Sequence, residues 1–447
     1  MAAHEEGTYP MREAFYELVD ALTGQLKGQE VLLARFSGER SDFVRFNHSL
    51  IRQGGHVEQR RVELELIDGR RHVSGTCTLS GVADEDGVRG RNMLDGLRDC
   101  VASVPEDPYL LYNMEPANTA QVGQNRLAEG GSMVEAVLGA GEGLDLVGIL
   151  AAGGVYAGFG NSLGQRNWFA THSFDLSWCY YLAKDKAVKA NYAGFEWDAA
   201  TFERKAREGH QQLAILAGSP KTIRAGEYRV YLAPAALAEV MRLLCWGGFG
   251  LKAHRTKTSS LLKMTEEGRA LAAGVAMREN TAEGLAPNFY SGGFLRPASV
   301  SMIEEGRFGT ALASPRSAKE YNVEPNGTEA PESLEMAGGE IPSAEVLRRL
   351  GTGVYVNTLW YLNYSDRPAC RMTGMTRFAT FWVEDGQIAA PLNVMRFDET
   401  IYRMLGENLM GLTRERDLLP DENTYGGRST GSMRLPGVLI DNFTFTL

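Results

Sequence analysis

Apolar positions along this chain recur in two rhythms. Met11, Phe15, Leu18, Val19, Leu22 and Leu26 keep a helical stripe behind Pro10, which suits a first helical turn. Glu30–Phe36, Ser41–Asn47, Val57–Ile67 and Arg71–Ser80 then read as extended segments. Arg61-Val-Glu-Leu-Glu-Leu alternates strictly, as a strand with one wetted face does, and Asp68-Gly69 supplies a hairpin turn. Helical spacing returns over Asn92–Val104, with Met93, Leu94, Leu97, Cys100 and Val101 on one side. Pro105, Pro108 and Pro116 with little periodicity mark 105–124 as a linker. A helix over Arg126–Leu138 precedes the long strands Leu144–Gly158, which bears glycines, and Arg166–Ala183, which flank a turn at Asn161-Ser162-Leu163-Gly164. A strand Ala187–Phe195 and a helix Ala199–Leu216 follow.

Beyond Ala225 the pattern is a strand running into a helix, with Pro234 at its first turn. That helix, Ala235–Leu244, stops against Trp246-Gly247-Gly248. Ser314–Pro342 is long, polar and strand-poor, which predicts an exposed excursion or lid. The end is strand-rich: Gly353–Leu362, Thr373–Val383 and Ile388–Arg396, with a hairpin turn at Asp385-Gly386. These elements predict an α+β fold with mixed or antiparallel sheets covered by helices. They divide into an amino-terminal α+β part (1–110), a central α+β part (111–224) and a β-rich carboxy-terminal domain (225–447).

Composition narrows the class. With 447 residues, 44% hydrophobic and 23% charged, the chain is globular and too long for a single core. Lys and Arg total 46 against 56 Asp and Glu, a net charge of −10 that argues against a nucleic-acid partner. The longest apolar stretch, Leu144–Tyr156, is broken by Gly148 and Gly153-Gly154, so no membrane helix is expected. The acidic amino terminus lacks the apolar run of a secretory signal. Five cysteines stand far apart and are odd in number, which fits reduced thiols and a cytoplasmic location.

Reactive chemistry is sparse. No two of the seven histidines lie four or five apart, so no helical histidine pair can seat zinc. His172 and Cys179, seven apart in a strand, face opposite sides; a site assembled from distant residues, such as His172 with Cys179 or His254, stays open. There is no G-x-S-x-G elbow. Cys245 closes a helix, where the carbonyl end of the dipole disfavours a thiolate, so core packing is the better assignment. Gly158-Phe-Gly160-Asn-Ser-Leu-Gly164 reads as turn glycines. Lys252-Ala-His254-Arg255-Thr-Lys257 is either a solvated loop or an anchor for a peptide backbone, a terminal carboxylate or a partner's acidic surface.

Several segments together resemble the TldD/TldE (PmbA) family. Gly160-Asn161-Ser162-Leu163-Gly164 with Thr171-His-Ser-Phe-Asp is similar to its N-S-x-G turn and paired strands. Ala225-Gly-Glu-Tyr-Arg-Val-Tyr-Leu-Ala-Pro-Ala-Ala resembles its strand-to-helix entry into the carboxy-terminal domain. His254-Arg-Thr-Lys-Thr-Ser-Ser-Leu-Leu resembles the TldE-side segment after the active-site helix. Gly353-Val-Tyr-Val-Asn, Thr376-Arg377-Phe, Val383-Glu-Asp-Gly-Gln-Ile and Pro436-Gly-Val-Leu-Ile-Asp-Asn-Phe resemble the final sheet. In that family the TldD-type subunit carries H-E-x-x-x-H on the helix after the proline, plus a late cysteine. Here that stretch is Val240-Met-Arg-Leu-Leu-Cys-Trp-Gly-Gly-Phe-Gly, and no cysteine follows Cys370.

The resemblance therefore implies a TldE-like subunit with no catalytic residue, metal ligand or cofactor of its own. Zinc is expected on a TldD-like partner. The chain would form a heterodimer with that homologue, or a homodimer, and would bind unfolded peptide as an added strand. His254, Arg255, Lys257, Arg377 and Phe378 are the candidate contacts to peptide or partner. The alternatives are a stand-alone hydrolase with a dispersed site and a peptide-binding homodimer without a proteolytic role. After dialysis the purified chain is expected to carry far less than one zinc per chain by metal analysis; near-stoichiometric zinc lost on His172→Ala or His254→Ala would establish a dispersed site instead.

Overall fold

Two sheets, each drawn from a contiguous half of the sequence, organise the computed structural model, which describes residues 8–183, 186–422, 424 and 426–446. The first half runs α1 (Thr8–Thr23), β1 (Val31–Asn47), β2 (Leu50–Asp68), β3 (Arg71–Thr78), α2 (Ala83–Val101), β4 (Thr119–Val122), α3 (Gly130–Ala140), β5 (Asp145–Asn161), β6 (Arg166–Ala183), β7 (Lys186–Gly194) and α4 (Ala199–Leu216). Among the described residues its seven strands lie in the order β3-β2-β1-β5-β6-β4, with β7 on the remaining length of β6. The sheet runs unbroken through the linker region, since β1 pairs with β5 from Leu33↔Asn161 to Phe46↔Gly148.

Two departures from the periodicity have physical causes. The gap expected after Phe36 is absent: Gly38, Glu39 and Arg40 stay in the ladder, opposite Arg60, Gln59 and Glu58. Their polarity hid the strand because this stretch, with Glu39 buried, faces the second half of the molecule. Helix α2 begins at Ala83, well before Asn92. Asp84, Glu85 and Asp86 fill its first turn, where carboxylates suit the exposed N–H groups. Asp86 also turns back to accept from Ser80 N (2.7 Å) and Gly81 N (2.8 Å).

The second half runs β8 (Gly226–Leu232), α5 (Pro234–Cys245), α6 (Leu251–Arg255), α7 (Leu262–Glu266), β9 (Met277–Glu279), β10 (Val300–Glu304), β11 (Arg307–Phe308), α8 (Pro315–Tyr321), β12 (Ser333–Met336), α9 (Val346–Leu350), β13 (Gly353–Asp366), β14 (Arg371–Glu384), β15 (Gln387–Pro391), β16 (Arg396–Thr400), β17 (Leu409–Pro420) and β18 (Ser432–Phe445). β8 pairs with both β13 and β18, so β8, β13, β14, β16 and β18 close a ring. Helix α5 packs its apolar side against this ring: Leu237, Val240, Met241 and Leu244 share one core with Val230, Leu232, Val354, Val356, Val438 and Ile440. Burying each of these side chains stabilises by about 1.5–3 kcal/mol. The fold is thus α+β, with mixed sheets and a β-rich second half. Among the described residues no helix is long and apolar enough to cross a membrane.

Residues 314–342 correct the expectation of an exposed lid. Ser314 caps α8, and the Glu329 carboxylate accepts from the Ser314 hydroxyl (2.9 Å) and the Lys252 N–H (3.1 Å). Strand β12 is buried at all four positions between β9 and β18. Its Glu335 gathers Arg278 (2.6 Å), Arg416 (3.0 Å) and Asn280 (2.9 Å). Burial alone would raise that carboxyl, but the Asn280, Arg278 and Arg416 bonds hold it below the usual range. Ser314, Glu329 and Glu335 thus spend their polarity inside the protein, while Arg316, Lys319, Asn322 and Glu324 face water. Amide exchange at Leu334–Met336 is expected to be as slow as at Val230–Leu232, measured by hydrogen-exchange mass spectrometry; exchange typical of an open loop there would contradict this packing.

Candidate functional site

The five residues singled out from the sequence fall into two groups on the second half. His254 and Arg255 end α6, and Lys257 follows at positive φ (57°). Arg377 and Phe378 lie in β14, where Arg377 pairs with Thr358 of β13 and Phe378 falls in a break of the ladder.

His254 is a structural residue. Its Nε2–H donates to the Gly248 carbonyl (2.8 Å), and its ring lies 4.4 Å from that of Phe308. Ser259 Oγ sits 3.2 Å from the same nitrogen, the spacing of a nucleophile and its base. The bonding excludes that use, because Ser259 also donates to Gly248 O (2.9 Å) and accepts from Leu261 N–H (3.0 Å). With Nε2 protonated, the ring's lone pair is on Nδ1, towards Thr265. Burial pushes the imidazole pKa down against the pull of the Gly248 carbonyl. Lys257 pairs with Glu266 (3.1 Å), and Arg255 lies over the Tyr321 ring at 5.8 Å.

The cysteine alternatives fare no better as nucleophiles. Burial pushes the Cys179 thiol up to about 11 and the Cys245 thiol up to about 12, far from a thiolate at neutral pH. His172 is buried edge-on against Tyr156. Among the described residues no three His, Cys, Asp or Glu side chains are grouped to hold a metal ion. On α5, Leu237, Val240, Met241 and Leu244 are sealed in the ring core. His4 lies outside the described residues.

The polar chemistry missed by the sequence reading lies where the two halves meet. Arg428 reaches from the segment before β18 onto the first sheet. Its guanidinium donates to Ser41 Oγ (3.4 Å), Gly153 O (3.2 Å), Ser173 O (3.0 Å) and Ser173 Oγ (2.7 Å). Those residues form one row across β1, β5 and β6: Ser41 pairs with Gly153, and Gly153 with Ser173. Gly153 stands at φ 152°, and a Cβ there would meet Arg40 O at 2.2 Å, so only glycine fits. Glu39 accepts from the Arg428 N–H (3.0 Å) and from Gln59 (2.8 Å). Beside this row, Lys189 pairs with Glu422 (2.9 Å), Lys205 with Asp417 (2.9 Å), and Asn357 donates to Lys189 O (3.2 Å). Asp175 sits among these charges. Burial and then Glu422 push its carboxyl up to about 7, against the opposing charges of Arg428 and Lys189. The available signal was Gly426-Gly427-Arg428-Ser-Thr-Gly, which reads as a flexible turn until its partner sheet is known.

Arg377 is placed differently. Its guanidinium carbon lies 4.5 Å from the Trp360 ring centre and 4.9 Å from that of Phe378, and its charge acts on Cys179 and Tyr181 of β6. Trp360 is 48% exposed and its neighbour Tyr361 77% exposed. The structure therefore brings Arg377 and Phe378 together on an aromatic surface and assigns His254 to internal packing.

Residues 225–447 match the family model described as the PmbA/TldA metallopeptidase C-terminal domain. No curated protein matches the sequence. Among solved structures, TldE from Thermococcus kodakarensis superposes with a TM-score of 0.76 at 13% identity, covering 97% of this chain and 100% of that one. A Thermotoga maritima protein with the provisional description of a modulator of DNA gyrase gives 0.72 at 14% identity, with 97% and 100% coverage. A Bacteroides thetaiotaomicron protein of the same description gives 0.74 at 14%, with 97% and 98% coverage. At such identities the structural likeness is one of fold.

The junction makes a pH-dependent prediction. Asp175 titrates near 7 when folded and near 4 when unfolded, so between these values the folded chain holds a proton the unfolded chain has released. Stability from this group is full below about pH 4 and falls as pH rises to about 7. Asp175→Asn is expected to stabilise at pH 8, by on the order of 2–4 kcal/mol, and to change little at pH 4. Denaturant unfolding at both pH values measures it; equal effects at the two would refute the assignment.

Proposed function

This chain belongs to the TldD/TldE (PmbA) family, and from that premise we propose that it is a TldE-like, non-catalytic subunit of a cytoplasmic TldD/TldE-type metallopeptidase. What carries the reading is α5. On the helix where a TldD-type subunit places H-E-x-x-x-H, this chain turns Leu237, Val240, Met241 and Leu244 into the core. Metal and general base would then come with a homologous partner, whose zinc would supply Lewis acidity and an activated water. This chain's contribution is to bind and orient an unfolded peptide.

An extended peptide needs an open strand edge. β3 covers β2 only over Arg61–Asp68, and where it ends the Arg60 carbonyl still accepts from Leu79 N–H (2.9 Å). Upstream, Leu50–His56 is exposed throughout, with Leu50 69% and Ile51 51% accessible. This arm of the β1–β2 hairpin offers backbone donors and acceptors on one side and apolar contacts beside them, the chemistry of strand addition without sequence selection.

A stand-alone hydrolase is disfavoured by the bonding of His254 and Ser259 and by the raised cysteine thiols. Mixing the purified chain with an H-E-x-x-x-H homologue from the same organism is expected to give a complex that cleaves unfolded peptides and is silenced by chelation. Chelator-insensitive cleavage by this chain alone, or full activity of the partner without it, would sink the proposal. Within the complex, Ile51→Pro or Gln53→Pro should raise KM for peptides with little change in kcat, because each removes one backbone donor from the hairpin arm.

A further inference from the structure

We propose that Arg377, held against Trp360 and Phe378, is a carboxylate-binding site for the peptide ligand of this chain. The inference deepens the reading that the chain binds extended peptide and rests on it.

The backbone around Arg377 is shaped for display. The β13–β14 ladder breaks register between Val356 and Thr358, where β14 carries the extra residue, and again between Trp360 and Asn363, where β13 does. Tyr361 and Phe378 adopt left-handed conformations (φ 59° and 55°) inside these strands. Bulky aromatic residues avoid that region, and each costs about 1–3 kcal/mol there. A regular ladder would alternate these side chains between the two faces. The paired bulges instead set Trp360, Tyr361, Arg377 and Phe378 side by side at the surface, with Trp360 and Tyr361 ring centres 5.6 Å apart.

The guanidinium is oriented but chemically unspent. Among the described residues Arg377 makes no ion pair and no side-chain hydrogen bond, and its guanidinium lies against the two rings. Other arginines stacked on aromatic rings are occupied: Arg367 donates to Trp246 O (2.8 Å), Arg296 to Glu332 (2.7 Å) and Arg269 to Glu407 (3.2 Å). Arg255 is also unpaired, but it meets a single ring at the longer distance of 5.8 Å. Stacking engages the π face of a guanidinium and leaves its N–H edge for a planar anion, and the two-pronged edge matches a carboxylate. Rings that fix the side chain beforehand lower the entropic cost of capture. Tyr361 and Trp360 beside it offer apolar area for the residue that carries the carboxylate. That carboxylate is either the peptide's own terminus or an acidic side chain.

Three acetylated hexapeptides of alanine, serine and glycine separate the sources: one with a free terminal carboxylate, one amidated, and one amidated with a central glutamate. Binding to the full chain is followed by calorimetry at low salt. A carboxylate-bearing peptide is expected to bind about 10-fold or more tighter than the neutral one, given the strength of charge-assisted bonds. The preferred source is whichever carboxylate gives that gain. Arg377→Gln should erase the difference while leaving the neutral peptide's affinity unchanged, and Arg377→Lys should restore only part of it. Trp360→Ala should weaken the charged peptides with Arg377 still present. Equal wild-type binding of all three peptides, or an undiminished preference in folded Arg377→Gln, overturns the site. If the neutral peptide still binds, strand addition survives and only the carboxylate site fails. If no peptide binds the chain, the site is likewise overturned, while chelator-sensitive cleavage by the mixed complex would leave the subunit reading standing.

Discussion

A guanidinium removed from water must find acceptors in fixed directions, and the contact between the two halves of this protein is organised around that requirement. Arg428 takes its oxygens from a single row of the first sheet, one position on each of β1, β5 and β6. That demand explains several residues at once. Ser41 and Ser173 supply small hydroxyls, Gly153 supplies its carbonyl, and Glu39 in its buried site receives the Arg428 N–H. Leaving any such buried polar group unmatched costs about 1–3 kcal/mol, so the contact is specific as well as tight. Elsewhere along the junction, amides tie the same two halves: Gln165 donates to Gly293 O (2.7 Å), and so does Asn113 (3.3 Å).

The second half answers a different constraint. A strand-to-helix entry at Ala233-Pro234 places α5 against strands that close on themselves through β8. A helix with that many buried neighbours has little room for polar ligands. Its sequence accordingly turns Leu237, Val240, Met241 and Leu244 into the core. Closure also limits where the ring can depart from regular pairing. Three register breaks fall along the β13–β14 ladder and one between β18 and β8, and beside the first two the half-buried Arg377 lies next to exposed aromatic rings. The hairpin arm of β2 is the corresponding exposed feature of the first half.

Much of this was legible in the residues themselves. The run of apolar positions marked β6, and helical spacing α4, with their observed ends, and Pro234 marked the first turn of α5. Those are local properties: a side chain facing a core repeats every two residues in a strand and every three to four in a helix, whatever the core is made of. The absence of a histidine pair from α5 is equally a property of sequence. Periodicity failed at several charged segments. Gly38–Arg40, the start of α2 and Ser314–Pro342 all carry charge, and charge implies water unless a distant partner supplies the bonds. Only the tertiary structure provides such partners, hundreds of residues away for Glu39 and Arg428. It likewise decided that His254 spends its proton on a carbonyl whereas Arg377 keeps its donors free, a difference that lies in neighbours rather than in residue type.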